Sequence, residues 1–173
     1  LFRQLAVFAG GFTLEAAEAL APAGSAHSLA VLDAITALIE QSVVQPVIGP
    51  AGVTRYTMLE TIREYALEEL AECSEEFTTR QRHAAWCCRL AEEAENHVHG
   101  PDQVTWLDHL DSEFGNLSSA MSWAIEAEPD IALRLGGALN TFWHVRGHLG
   151  FAHDSLSRAL RAGGSAGPRA KAT

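Results

Sequence analysis

The chain has 173 residues, 47% hydrophobic and 20% charged, the balance of a globular protein able to bury a real core. Its net charge of −10 divides into three Arg against nine acids over residues 1–74, and nine basic against thirteen acidic residues over 75–173. Nucleic-acid affinity comes largely from Lys and Arg neutralising phosphates, so a chain whose only lysine is Lys171 reads against direct nucleic-acid binding by this segment. No apolar run approaches the roughly 20 residues a membrane span needs, and no signal peptide is visible. The three cysteines, Cys73, Cys87 and Cys88, lack framework spacing and point to reduced thiols in a cytoplasmic setting. Cys87 and Cys88 are helix neighbours whose side chains diverge by about 100°, so both read as small, partly buried residues rather than a redox pair.

In chain order, Leu1 to about Ala9 reads as a helix with Leu1, Leu5 and Phe8 on one face, ended by Gly10-Gly11. Its start already reads as helix interior, which suggests a piece of a longer protein. The glycine pair is followed by Phe12-Thr13, not the Lys-Ser/Thr of a phosphate loop. Thr13 suits the N-cap of a short second helix with Glu15 in its first turn, and that helix fades into a loop at Ala21–Ser25. Ser28 can cap a third helix, in which Val31, Ile35, Leu38 and Ile39 recur at helical spacing. Val43–Ile48 and Val53–Thr57 then read as two strands around a Gly49-Pro-Ala-Gly52 turn, with Pro46 placing the first at a sheet edge.

A fourth helix from about Leu59 to Cys73 is expected to bury Leu59, Ile62, Ala66 and Leu70. Helices are expected at 76–96, after Gly100-Pro101, through Phe114, Leu117, Met121 and Ala124, at 130–146 and at 149–162. Three helices and a hairpin are the order of a winged helix. The reading is therefore mainly α, with a winged-helix-like module over 1–74, a tetratricopeptide-like helical array over 75–162 and a disordered tail over 163–173. The array assignment rests on Leu139, Trp143, Gly147, Ala152, Leu156 and Ala159, which stand at the offsets of a repeat of about 34 residues. A generic helical hairpin is the competing description, since Asn140 replaces a usual glycine and the terminal proline is missing.

Arg55-Tyr-Thr-Met-Leu-Glu60-Thr-Ile-Arg-Glu-Tyr65-Ala, Phe8-Ala-Gly-Gly-Phe12, His83-Ala-Ala-Trp86, Glu113-Phe-Gly-Asn116 with Leu117 to Ala124, and Arg146-Gly-His148 together resemble the middle of bacterial signal-transduction ATPases with numerous domains, many of them LuxR-type regulators. The resemblance covers about residues 1 to 162. It implies a nucleotide-binding domain upstream as a partner, ADP and ATP as cofactors of the parent but none in this segment, a protein or small-molecule inducer, and self-association of the parent. In relatives a Met-His-Asp triplet opens the helix after the hairpin and touches ADP; Met58, Leu59 and Glu60 stand there, and a leucine cannot donate to phosphate.

A DNA-binding reading would send the third helix into the major groove, but Leu29–Gln41 contains no Lys or Arg. His144 and His148 have metal-ligand spacing, yet Gly147 falls between them and no carboxylate partner sits nearby. His97 and His99 suit a helix end, and Ser112, Ser118 and Ser119 have no visible base, so no catalytic or metal site is assigned. Trp143, His144 and Arg146 stand where a groove of stacked helices could be lined, Trp143 reading more readily as a core residue between the helices and Arg146 as the better solvent-facing contact. The expectation is a regulatory sensor segment of an ATPase transcriptional regulator. A stand-alone peptide-binding adaptor and the sensor region of an enzyme such as a cyclase are the alternatives.

Overall fold

The computed structural model describes residues 1–21, 28–49 and 52–165. Helix α1 covers only Phe2–Leu5, shorter than the periodicity suggested. Leu5, Ala6, Val7 and Phe8 are all buried, and four consecutive inward residues cannot share one face of an α-helix. The chain tightens instead into three-residue turns, with Ala6, Val7 and Phe8 donating to Arg3, Gln4 and Leu5 carbonyls at 3.3–3.4 Å. Gly10 (φ 140°) and Gly11 (φ 84°) then turn the backbone so that Phe12 exchanges two hydrogen bonds with Tyr56 at 2.8 and 2.9 Å. A Cβ on Gly11 would lie 2.7 Å from the Tyr56 carbonyl, so this approach requires glycine.

Thr13 caps α2 (Leu14–Leu20) as expected, its hydroxyl accepting from the Ala16 amide at 3.2 Å. Helix α3 spans Ser28–Glu40, and the antiparallel pair β1 (Val44–Ile48) and β2 (Thr54–Met58) follows in the register Val44 opposite Met58 and Ile48 opposite Thr54. Because Phe12 covers the far side of β2, β1 is the edge strand, which is where Pro46 is tolerated. Part of the expected Ala21–Ser25 loop, and Pro50 and Ala51 of the turn, lie outside the described residues.

Helix α4 (Glu60–Ala71) buries Ala66 and Leu70, but Leu59 caps it from outside and is 55% exposed, not a core leucine. The array follows as α5 (Glu76–Glu95), α6 (Gln103–Ser112), α7 (Phe114–Ala127), α8 (Pro129–Ala138), α9 (Asn140–Arg146) and α10 (Leu149–Ser165). Helix α5 is the spine, burying His83, Trp86, Cys87, Leu90 and Ala94 against α2, α7 and α8. The expected helix over 130–146 is broken at Leu139, and Gly147, in the left-handed region at φ 82°, ends α9. Helix α10 runs to Ser165, into the stretch expected to be disordered; residues 166–173 lie outside the described residues. One hydrophobic cluster joins both regions: Phe8 meets His83 edge-on at 5.0 Å and Trp86 at 5.8 Å. The fold is thus mainly helical, a winged-helix domain with its two-stranded hairpin followed by packed helices.

Candidate functional site

The junction between the winged helix and the helices behind it carries most of the buried polar chemistry. Glu113, with no exposure, sits just ahead of α7 and forms an ion pair with Arg55 of β2, itself only 6% exposed. Arg55 Nη2 also donates to the Gly11 carbonyl at 3.1 Å and the Gly10 carbonyl at 3.4 Å. Asn116, one helical turn on, is equally buried: its Nδ2 donates to Glu113 Oε2 at 2.6 Å and to the Gly11 carbonyl at 2.9 Å, and its Oδ1 accepts from the Ala9 amide at 2.7 Å.

Gly115 makes this approach possible, since a Cβ there would fall 1.8 Å from the Ala9 carbonyl oxygen. Two segments that carried the family resemblance, Phe8–Phe12 and Glu113–Asn116, therefore meet each other. Their 105-residue separation between Gly11 and Asn116 hides the pairing from any local reading of the chain. Every member of the cluster has a partner, which is the condition for a buried charge to persist.

Flanking contacts extend the joint. Arg82 of α5 donates to the Leu20 carbonyl at the end of α2 at 2.9 Å, and Arg63 of α4 donates to the Ala6 carbonyl at 3.2 Å. Burial holds the His83 imidazole down to about 3, so it is neutral, and its Nε2 lies 3.7 Å from Cys87 Sγ. Burial likewise pushes the Cys87 thiol well up, and Cys88 up to about 11, the opposite of an activated thiol.

Beside the ion pair is a cleft of about 770 Å³ between Thr13, Glu15 and Val53 of the winged helix and Trp86, Glu93, Trp106 and His109 of the array. A smaller cavity of about 380 Å³ shares Thr13, Val53 and His109 with it. Glu113 borders the larger space and Arg55 the smaller.

The residues singled out from sequence fall elsewhere. Glu60 is exposed and binds Arg63 through both oxygens, at 2.7 and 3.2 Å, and that guanidinium holds its carboxyl below the usual range. Leu59 is exposed beside it. Trp143 is fully buried, a core residue rather than a groove lining. Arg146, expected to face a ligand, is instead committed to α6: it forms an ion pair with Asp108, and its Nε lies 2.7 Å from Asp111. His144 is exposed on α9, and His148 leaves it to stack on Phe114 at 4.2 Å. Among the described residues no cluster of three or more His, Cys, Asp or Glu could hold a metal ion, and no helix is long and apolar enough to cross a membrane.

Residues 1–71 match the family model of the winged helix-turn-helix domain. Proteins of Mycobacterium tuberculosis (strain ATCC 25618 / H37Rv) and Mycobacterium bovis, named as HTH-type transcriptional regulators, are 37% identical over 150 residues. The match takes in 86% of this chain but 17% of each relative, so the chain spans about a sixth of their length. No solved structure matches. These similarities overturn the expectation that the segment makes no direct nucleic-acid contact: a winged helix-turn-helix domain and relatives named as transcriptional regulators both point to DNA binding. The expectation rested on net charge and on a third helix without Lys or Arg, but phosphate contacts also come from backbone amides, hydroxyls and helix N-termini, which a count of cations does not register. Residues 1–71 of the chain thus have the winged helix-turn-helix fold.

Proposed function

We propose that the chain is the regulatory region of an ATPase-type transcriptional regulator, in which the winged helix contacts DNA and the helices behind it restrain that contact. The observation that carries this reading is the buried Arg55–Glu113–Asn116 cluster on the Gly10-Gly11 turn. Arg55 is the one basic residue among the described residues of the hairpin, and in this arrangement it is withdrawn from solvent into Glu113. A cation spent on an internal carboxylate is unavailable to a phosphate. Loosening Glu113 returns it to the surface.

A protein or small-molecule signal received by the helices acts on this joint. Nucleotide belongs to a separate domain of the parent, which docks near the exposed Leu59 and the Glu60–Arg63 pair at the start of α4.

The test is fluorescence anisotropy of a labelled DNA duplex titrated with the chain over a range of salt concentrations. Glu113→Ala is expected to bind more tightly than the wild type, with a salt slope steeper by about one phosphate contact. Adding Arg55→Ala to that variant is expected to remove the gain. Equal binding by wild type and Glu113→Ala, with both folded, would show that the cluster does not restrain DNA contact.

A further inference from the structure

We propose that the 770 Å³ cleft between the winged helix and the array is a binding site for a small organic cation with a flat apolar body. Its size falls in the range of small-molecule sites. Trp86, Leu90 and Glu93 stand at i, i+4 and i+7 on α5, so one stripe of that helix presents an indole, an aliphatic side chain and a carboxylate to the same space.

Trp106 adds a second indole from α6, held in place by His97 stacked on it at 4.8 Å with ring planes 6° apart. Across the cleft, Glu15 supplies a carboxylate from the first turn of α2. Indole faces attract cations through the ring quadrupole, and Glu15 and Glu93 on opposite walls favour the same charge, opposed in the lining by the guanidinium of Arg89. The net charge of −10 adds a field that draws cations inward. An ammonium group near Glu15 and Glu93 with its ring against Trp86 and Trp106 would use all of these features.

The two walls belong to different regions of the fold, so such a ligand binds best when the winged helix is docked, and it reinforces the restraint. That regulatory consequence rests on the function proposed above; the ligand class does not.

The experiment is isothermal titration of the chain with 2-phenylethylammonium and with 2-phenylethanol, which has nearly the same shape and no charge. The ammonium is expected to bind about 10-fold more tightly. Glu93 is exposed, so Glu93→Gln leaves the fold intact, and it is expected to cut that preference to about 3-fold. Trp106→Leu is expected to weaken both ligands. Equal affinity for the two compounds overturns the proposal, as does ammonium binding that neither substitution alters. Charge-selective binding combined with no effect of Glu113→Ala on DNA would keep the site and remove its regulatory role.

Discussion

His83 and Gly115 show how one atom's surroundings set the behaviour of a whole joint. An ordinary imidazole takes up a proton near pH 6.5, whereas buried His83 resists until about 3. The unfolded chain therefore binds the proton first. The stability that depends on keeping His83 neutral is complete above pH 6.5 and is lost as pH falls from there toward 3. At pH 5 the loss is about 2 kcal/mol from this residue alone. Denaturant melts of wild type and His83→Gln between pH 7 and 5 should show a shallower pH slope in the variant; parallel slopes would mean that His83 is not the sensitive group. Gly115→Ala forces a methyl onto the Ala9 carbonyl, which is backbone and cannot step aside. Its expected cost is about 3 kcal/mol, measured as a lowered urea midpoint. The same change at Gly136 meets the movable end of Leu156 and should cost less.

At the scale of elements, the break at Leu139 and the attachment of α9 to α6 are the features that local periodicity could not supply. Residues 130–146 keep an apolar stripe throughout, so the sequence reads as one helix, while the structure separates α8 from α9. Arg146 then spans the gap to Asp108 and Asp111 on α6. Both acids are partly exposed, so the pair is screened by solvent and contributes no more than about 1 kcal/mol. Arg146→Ala is accordingly expected to leave the melting temperature nearly unchanged. It should speed amide hydrogen exchange in α9 relative to α8, and the difference should shrink in high salt. A large global loss of stability would show instead that Arg146 supports the core.

For the molecule as a whole, the winged helix and the array share one core and one buried ion pair, so they should melt together. Differential scanning calorimetry is expected to give a single transition whose calorimetric and van't Hoff enthalpies agree. Two resolved transitions would mean that the joint is weaker than its burial suggests. Glu113→Ala strands the Arg55 charge unless β2 swings away. Its expected cost is about 3 kcal/mol, with the loss concentrated in the hairpin by hydrogen exchange.

Much of the local fold could be read from the chain because it is governed by neighbours in sequence. Thr13 caps α2, Pro46 marks an edge strand, Gly147 ends α9, and the order of helices and hairpin points to a winged helix. The candidate site could be read only as fragments. Phe8–Phe12 and Glu113–Asn116 each stood out, but nothing local says that Asn116 reaches Gly11 or that Arg55, which looks like a free cation on a wing, ends its reach in a carboxylate. Core placement of Trp143 was legible from its repeat offset, whereas exposure of Leu59 was settled by packing, because helical spacing gives a residue's direction but not what lies in that direction. The sequence by itself determined the elements and their caps. Only the tertiary structure decided which charges are paired, because the energy of a buried charge depends on groups brought near it by the fold, however far apart they lie along the chain.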